Sequence, residues 1–377
     1  MRDAGYGMRD NCFHLLTSNL QPLTSPPTMP SRRQFLTKAT ALSAVAWLRP
    51  NTLWADGDAT EESAVELVTP GADRVVGRGL KFLAGQQMDD GAFGSRGYSR
   101  NVAVCGLCGL AFMAGGSTPG RGPYGEHVKR TLNFILSCVQ PSGFINTPGA
   151  SSHGPMYGHG FATLFLSQAY GMSRKPELRE ALAKAIKLIV STQNRDGGWR
   201  YHPQPRDADV SMTVCQVMAL RAARNVGLYV PNETIDRCIE YVKKSQNADG
   251  GFRYMIIEGG DSAFPRSAAG LVALYSAGIY DGPEITRGLE YLTKFLPGRK
   301  QFGREGHYFY GHYYAVQAMW HAGGDDWQRW YPAIRDELIT SQQPQGHWMD
   351  SICREYATAM ACIILQLPNN LLPIFQR

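Results

Sequence analysis

Two acidic residues, Asp207 and Asp209, are the strongest candidates for chemistry in this sequence. They stand just ahead of an apolar helical segment, residues 210–222. A carboxyl group in that position can act as a general acid or base toward a bound ligand. The position also suits a structural role, since an acid at a helix N-terminus accepts hydrogen bonds from free N–H groups and complements the helix dipole. The residues alone leave both interpretations open.

Other polar residues recur around the starts of similar apolar segments along the chain, and alignment of the units on their Ala-Gly ends places Arg266 at the position of Arg354. If these segments are parallel helices, their polar ends ring one mouth of a barrel, and convergence of His, Asp, Arg and Tyr there exceeds what capping requires. We therefore predict a ligand-binding role for this group. Its members are Asn101, His159, Arg266, His307, His312, Arg354 and Glu355.

Structural roles compete with binding at several of these positions. His159 and His312 lie among tyrosines, where a hydrogen-bonded structural histidine is the commoner case. Arg266 and Arg354 could instead form ion pairs with neighbouring acids such as Asp261 and Glu355 and so lock adjacent units together.

A repeated motif organises the whole chain. Residues 193–199 read Gln-Asn-Arg-Asp-Gly-Gly-Trp, and residues 246–252, which lie 53 positions later, read Gln-Asn-Ala-Asp-Gly-Gly-Phe. Looser copies start at Gln87, Gln140 and Gln342, and residues 298–302 occupy the place of a fifth copy. Six units with a fixed period of this length indicate a helical repeat architecture.

Each unit contains two helical patterns of different character. In the third unit Leu182, Ile186 and Ile189 form one apolar face, whereas Lys184 and Lys187 take the other side, as in a half-exposed outer helix. The second helix of each unit is apolar nearly all round, which predicts an inner helix. The predicted inner helices are residues 103–114, 161–169, 210–222, 267–277, 313–322 and 357–365. We expect the turn glycines to end the outer helices and the following aromatic residue to pack against the next unit.

Two architectures can be built from six such pairs, an open solenoid and a closed ring. A solenoid normally ends in polar caps. Here the last unit ends in apolar residues, 363–365 and 371–375, which favours closure of unit six on unit one. The predicted fold class is therefore an all-α (α/α)6 toroid of six helix-pair repeats.

The Gln-x-x-Asp-Gly-Gly-Trp copies resemble the repeats shared by squalene and oxidosqualene cyclases and the β subunits of protein prenyltransferases. The resemblance covers residues 74–367 and implies an (α/α)6 toroid with a central cavity. It also implies an Asp-x-Asp-Asp motif in which the middle acid is the proton donor, and that residue corresponds to Asp209. The last acid of the motif is replaced by Val210, and the second cyclase domain is missing, which puts alkene protonation in doubt. The prenyltransferase zinc ligands are matched in neither spacing nor order by Asp350, Cys353 and His312, so we predict no metal and no cofactor.

Composition divides the chain into a leader and a body. Residues 1–55 hold six Lys or Arg and two acids, so most of the net charge of +6 lies there and no nucleic-acid surface is predicted. Arg32 and Arg33, followed by the short apolar run 39–48, resemble a twin-arginine export signal with cleavage after Ala55. The apolar run is too short for a membrane span. We predict a signal region at 1–55 whose true start is Met29, a linker at 56–73 and a toroid at 74–377. An odd number of cysteines after the signal predicts free thiols.

Three functional hypotheses follow. The first is an exported cyclase- or isomerase-like enzyme that performs acid–base chemistry on an apolar or amphipathic small molecule, with Asp209 as the acid. The second is a non-catalytic protein that holds such a ligand, or serves as a scaffold, outside the cytoplasm. The third is a glycan-cleaving enzyme, because other (α/α)6 barrels act on glycans.

Overall fold

Twelve helices alternate between an outer and an inner layer in the part of the chain that the computed structural model describes, residues 65–150, 152, 154–298 and 306–376. The outer helices are α1 (Pro70–Gln86), α3 (Gly125–Ser137), α5 (Pro176–Ser191), α7 (Asn232–Lys244), α9 (Pro283–Thr293) and α11 (Gly324–Ser341). The inner helices are α2 (Val102–Ala114), α4 (Pro155–Ser173), α6 (Val210–Asn225), α8 (Phe264–Ser276), α10 (Tyr308–Ala322) and α12 (Arg354–Gln366). Three short 3₁₀ helices complete the secondary structure of these ranges: Arg96–Tyr98, Leu367–Asn369 and Pro373–Phe375.

The division into two layers follows from the side chains. On α5 Leu182, Ile186 and Ile189 are buried while Lys184 and Lys187 are exposed, as an amphipathic outer helix requires. Nearly every residue of α2 is buried, as expected of a helix surrounded by others. The predicted inner helices are confirmed, although α4 begins six residues earlier than expected. Gly158 and Gly160 obscure that start in the sequence, because glycine is a poor helix former.

The ring is closed, which confirms the toroid. Each inner helix packs against the next, and α12 packs against α2 and α1. Gln366 on α12 donates a hydrogen bond to the carbonyl oxygen of Ala111 on α2 at 3.1 Å. At the same seam α1 approaches α12 so closely that a Cβ atom at Gly79 would lie 2.7 Å from the Sγ atom of Cys362.

The last apolar residues, 371–375, contact more than one unit. The segment around Pro373–Phe375 packs against α6, and a Cβ atom at Gly116, just after α2, would lie 3.6 Å from Leu371. Trp320 of α10 donates a hydrogen bond to the Phe375 carbonyl oxygen at 3.0 Å, and Arg221 of α6 donates one to the Gln376 carbonyl oxygen at 2.8 Å. Residues 371–375 therefore lie across the C-terminal ends of inner helices.

The repeat motif connects neighbouring units through its glutamine. The Gln193 amide donates to the Gly197 carbonyl oxygen within its own turn and to the Thr234 carbonyl oxygen in α7 of the next unit, both at 2.8 Å. Gln87, Gln246 and Gln342 make the same pair of hydrogen bonds, and Gln342 reaches Val75 on α1 across the closing seam. Gln140 does not hold the anchor position. Its backbone N–H donates to the Phe144 carbonyl oxygen, as the N–H of Asn194 donates to the Gly198 carbonyl oxygen. Gln140 therefore corresponds to Asn194, the residue that follows the anchor Gln193.

The turn glycines do not end the outer helices, contrary to expectation. Helix α5 ends at Ser191, six residues before Gly197. Gly197 has a φ of 101°, and a Cβ atom there would lie 2.0 Å from the carbonyl oxygen of Arg237 on α7. The glycine is needed for this close approach between units. The aromatic residue that follows is buried, since Trp199 is 1% exposed, but its indole N–H donates within its own unit, to the Ile189 carbonyl oxygen at 2.7 Å. Trp348 does pack against the next unit, because a Cβ atom at Gly79 on α1 would lie 3.0 Å from its ring.

Several predictions concern residues outside the described ranges. These are the signal region 1–55, the start at Met29, cleavage after Ala55, the first half of the linker (56–64) and most of the turn at 298–302. The seven cysteines of the described ranges all carry free thiols. Among the helices of those ranges, none combines the length and apolar character needed to cross a membrane.

Candidate functional site

A cavity of about 810 Å³ opens where the inner helices begin. Its wall is strongly aromatic, with seven tyrosines and three phenylalanines, and half of the other polar residues are serines. Among the wall residues on inner helices, Leu107 and Phe161 lie furthest from the helix starts, and the ring of Tyr313 contacts Phe161 at 6.1 Å. The aromatic members of the wall are Tyr98, Tyr157, Phe161, Tyr201, Tyr254, Phe264, Tyr291, Phe295, Tyr310 and Tyr356.

Three of the predicted site residues line this cavity. Asn101 caps α2, where its side-chain oxygen accepts hydrogen bonds from the N–H groups of Ala103 and Val104. Arg266 donates to the backbone oxygens of Phe252 and Asp261, which fixes its guanidinium at the wall. His307 stands directly before α10 with a φ of 70°.

His159 was predicted at the mouth, and the structure places it inside the helix packing. Its Nδ1 accepts the N–H of Ile145 at 3.1 Å, and its Nε2 lies 3.3 Å from the carbonyl oxygen of Ala185. In other units a hydroxyl accepts the corresponding N–H, as Thr213 does for Trp199 at 3.2 Å. Burial lowers the pKa of His159 to about 4, so the ring is neutral and has a structural role in the repeat turn.

His312 is likewise absent from the cavity wall. It is fully buried among the rings of Tyr308, Phe264 and Trp330, with centroid distances of 4.5, 5.0 and 6.1 Å. Burial lowers its pKa to about 3, which keeps it uncharged at neutral pH. The residue joins inner helix α10 to outer helix α11.

Arg354 and Glu355 lie at the closing seam and not in the main cavity. Arg354 donates to Gln86 at 2.7 Å and pairs with Glu355 at 3.3 Å, and Glu355 also accepts from Ser95 at 2.7 Å. The predicted equivalence of Arg354 with Arg266 is wrong. The Trp348 N–H donates to the Thr358 hydroxyl, as the Trp199 N–H donates to the Thr213 hydroxyl, so Thr358 corresponds to Thr213. Arg354 precedes Thr358 by four residues and therefore corresponds to Asp209, which precedes Thr213 by four.

Asp209 is fully buried and caps α6. One carboxylate oxygen accepts the N–H of Met212 at 2.8 Å, and the other lies 3.0 Å from Nη1 of Arg200. Asp207 is half exposed and pairs with Nε of the same arginine at 3.1 Å. Neither aspartate belongs to the cavity wall. The structure therefore brings the two acids together around a cation.

Arg200 is the residue that sequence reasoning missed. Besides the two aspartates, it donates to the hydroxyl of Tyr254 at 3.0 Å and lies over the ring of Tyr201, with 4.5 Å to the centroid. Tyr201 and Tyr254 hydrogen-bond to each other and face the cavity, so they separate Asp209 and Arg200 from its interior. A signal was present, because Trp199-Arg200-Tyr201 recurs as Phe252-Arg253-Tyr254, 53 positions later.

Burial and charge pairing act on the Asp209 carboxyl in opposite directions. Removal from water raises its pKa, whereas the Met212 N–H and the Arg200 guanidinium lower it, and the result is a pKa of about 6. The ordinary value is 3.8, so the folded protein binds this proton more readily than the unfolded chain. At neutral pH Asp209 is largely a carboxylate, and it becomes protonated in mildly acidic solution.

This pKa predicts how stability depends on pH. Stability contributed by a raised carboxyl pKa is complete below the unfolded value of 3.8 and is lost as pH rises through about 6. The unfolding free energy of the native chain, relative to an Asp209→Asn variant, should therefore fall by about 2 kcal/mol between pH 4 and pH 7.5. Denaturant titrations of both proteins across that range measure the difference. If the difference in unfolding free energy stayed constant or rose with pH, the effect of Arg200 on the Asp209 pKa would outweigh that of burial.

Comparison with known proteins identifies the family. The sequence model of the prenyltransferase alpha-alpha toroid domain matches residues 72–184 and 129–295. The chain belongs to this family. Among curated proteins, the drimenyl diphosphate synthase of Streptomyces showdoensis is 25% identical to the toroid over 174 residues, which are 46% of this chain and 31% of that protein. The match thus spans less than a third of that relative.

Solved structures share the toroid fold at low sequence identity. The type II terpene cyclase MstE from Scytonema, in complex with its product merosterolic acid A, covers 81% of this chain and 98% of its own, with 14% identity and a TM-score of 0.56. A GH76 α-mannanase from Bacteroides thetaiotaomicron covers 79% of this chain and 95% of its own, with 10% identity and a TM-score of 0.60. At such identities the likeness establishes the fold alone.

Within the described ranges of the toroid, no three His, Cys, Asp or Glu side chains lie together as a metal ion would require. Asp350 instead accepts the backbone N–H of Ile352, and Cys353 is buried with its pKa raised to about 12 by burial. These two residues therefore have local structural roles.

Proposed function

We propose that this toroid holds an apolar or amphipathic ligand of isoprenoid type in its cavity. The observation that supports this most directly is the wall of seven tyrosines and three phenylalanines around about 810 Å³. Small-molecule sites in proteins typically measure about 300–1,000 Å³ and are lined by apolar and aromatic side chains. An isoprenoid ligand, which has several branches and double bonds, fits such a wall, since aromatic faces provide large apolar contact areas.

The polar residues of the wall favour an amphipathic ligand over a plain hydrocarbon. Arg266 and His307, at the starts of α8 and α10, give one part of the wall hydrogen-bonding capacity, and serines such as Ser211 and Ser262 add hydroxyls. The family relatives include a drimenyl diphosphate synthase, and MstE is a type II terpene cyclase, which supports an isoprenoid skeleton.

Glycan cleavage has less support. Glycoside hydrolases generally act through a pair of carboxyl groups that flank the scissile bond. Among the described residues that line the cavity, none is an aspartate or a glutamate. Asp209 and Asp207 are both paired with Arg200 behind the tyrosines.

Acid–base catalysis on the bound ligand is the second candidate. It is favoured by the Asp209 carboxyl, whose pKa of about 6 lies close to neutral pH, where a general acid is effective. Direct protonation of an alkene needs a much stronger acid that contacts the ligand, and Asp209 lies outside the wall. We therefore rank ligand holding first. The Asp209→Asn variant separates the two, because product formation would stop only if Asp209 is the acid, whereas binding would persist in either case.

We also propose that the protein works outside the cytoplasm, as its Arg32-Arg33 signal implies. The free thiols of the body are compatible with export of a chain that has already folded, the route that this signal resembles. Fractionation of cells that express the full chain, with Arg32 and Arg33 replaced by lysine as the control, tests this assignment.

Filling the cavity tests the proposed function. Ala103 lies in the wall near the start of α2, and a tryptophan there would project an indole ring into the ligand space. We expect Ala103→Trp to weaken binding of phytol, a C20 isoprenoid alcohol, at least tenfold, as measured by titration calorimetry with cyclodextrin delivery. The matched control is Ala183→Trp on the exposed face of α5, which should bind phytol like the native chain. Equal affinity in both variants, or no binding of phytol to the native protein, would contradict the proposal.

A further inference from the structure

Two tyrosine hydroxyls in the cavity wall have no hydrogen-bond partner among the described residues. Tyr157 lies in the first turn of α4 and Tyr356 in the first turn of α12, and both side chains line the cavity. Tyr356 is only 8% exposed. Neither hydroxyl hydrogen-bonds to any side chain or backbone group of the described residues. Both side chains line the open cavity, so a ligand or water there can complete the two hydroxyls, and a ligand that covered them without offering an acceptor would cost free energy.

Other tyrosine hydroxyls of the cavity wall do have hydrogen-bond partners in the protein. Tyr310 donates to the Ser211 carbonyl oxygen at 2.9 Å. Tyr254 bonds to Arg200 and to Tyr201. The protein thus satisfies these three wall phenols internally and leaves Tyr157 and Tyr356 directed at the cavity.

Tyr310 is a neighbour of both residues. Its ring meets that of Tyr157 edge to face at 6.5 Å, and its hydroxyl interacts electrostatically with Tyr356. Burial raises the pKa of both Tyr157 and Tyr356 well above 10. Both groups consequently remain neutral O–H donors at neutral pH, and both need an acceptor.

We propose that Tyr157 and Tyr356 bind a neutral oxygen atom of the ligand, so that the site selects oxygenated isoprenoids such as alcohols, ketones or quinones over hydrocarbons. A neutral acceptor is favoured over an anion because Arg266, the cationic residue of the described wall, belongs to α8, and an anion buried beside phenols alone would lack a counter-charge. This inference rests on the proposed binding of an isoprenoid and specifies the part of the ligand that the protein recognises.

A matched pair of probes tests the inference. Phytol and its deoxygenated counterpart phytene share a carbon skeleton and differ in the hydroxyl group. The native protein should bind phytol about tenfold more tightly than phytene, which is the usual worth of one or two hydrogen bonds. Tyr356→Phe and Tyr157→Phe should each weaken phytol binding about three- to tenfold and leave phytene binding unchanged. Because these hydroxyls are unpaired in the free protein, neither variant should lower its melting temperature.

Tyr331→Phe is the matched control. Its hydroxyl is buried, donates to the Leu365 carbonyl oxygen at 2.7 Å and lies outside the cavity. This variant should melt at a lower temperature and bind phytol like the native chain. The inference is overturned if phytol and phytene bind the native protein equally, or if the phenylalanine variants at positions 157 and 356 leave phytol binding unchanged. Failure of both probes to bind would instead overturn the proposed function itself.

Discussion

Replacement of Arg200 by methionine is expected to lower the free energy of unfolding by about 3–5 kcal/mol at pH 7.5. Asp209 is fully buried, and its only cationic partner in the described structure is this guanidinium at 3.0 Å. Methionine keeps much of the aliphatic volume but leaves the carboxylate without a counter-charge in a low-dielectric setting. The loss is measured by urea unfolding monitored through tryptophan fluorescence.

The double variant Arg200→Met, Asp209→Asn supplies the control. Asparagine can still accept the Met212 N–H as a helix cap, and it removes the buried charge. We expect the double variant to recover most of the stability that Arg200→Met loses, with a coupling free energy of about 2 kcal/mol or more. If the two substitutions lowered the free energy of unfolding additively, Arg200 would act mainly through its contacts with Tyr201 and Tyr254. The buried ion pair would then have little energetic importance. At pH 4.5 the Arg200→Met penalty should shrink, because Asp209 is then protonated.

Replacement of Gly197 by alanine is expected to cost about 4 kcal/mol or more, enough to prevent accumulation of folded protein. Two effects add at this position. The φ of 101° is strained for any residue with a side chain, which costs about 1–3 kcal/mol. The new Cβ would also lie 2.0 Å from the Arg237 carbonyl oxygen, so α7 would have to move away from the turn.

A second glycine separates strain from collision. Gly227 has a φ of 85° and has no atom within 4 Å of where a Cβ would be. Gly227→Ala should therefore cost only about 1–2 kcal/mol and yield soluble protein. Thermal unfolding of the two variants, or their soluble yields if Gly197→Ala does not fold, gives the comparison. Similar losses in both would show that the close approach between units contributes little.

Repetition made the fold readable from the sequence. The Gln-x-x-Asp-Gly-Gly-Trp copies, the amphipathic outer segments and the uniformly apolar inner segments predicted six helix pairs in a closed ring, and each of these features depends on residues close together in the chain. The errors were also local: Gly158 and Gly160 hid the start of α4, and Gln140 resembled an anchor although Val139 holds that position.

The candidate site was much less predictable, because residue type does not reveal which way a side chain points. His159 and His312 were predicted to bind a ligand because of their residue type. In the structure His159 accepts a backbone N–H in a repeat turn, where another unit has a threonine, and His312 is enclosed by three aromatic rings. Arg354 was aligned by sequence with Arg266, whereas the hydrogen bond from Trp348 to Thr358 shows that it takes the place of Asp209. The aromatic wall itself was not predicted, since its tyrosines come from several separate units.

The sequence by itself determined the helical periodicity, the number of repeats and the toroid, since each repeat contains its own turn and apolar faces. Only the tertiary structure decided that Arg200 occupies the space between Asp207 and Asp209, and that Tyr201 and Tyr254 separate this cluster from the cavity. The physical reason is that Arg200, Asp207 and Asp209, although close in the sequence, are brought together, and Asp209 is buried, only by the folded loop and by contacts with the next unit, such as that of Arg200 with Tyr254. A repeat motif specifies its own turn, but the groups that face the ligand are selected by the packing of all six units together.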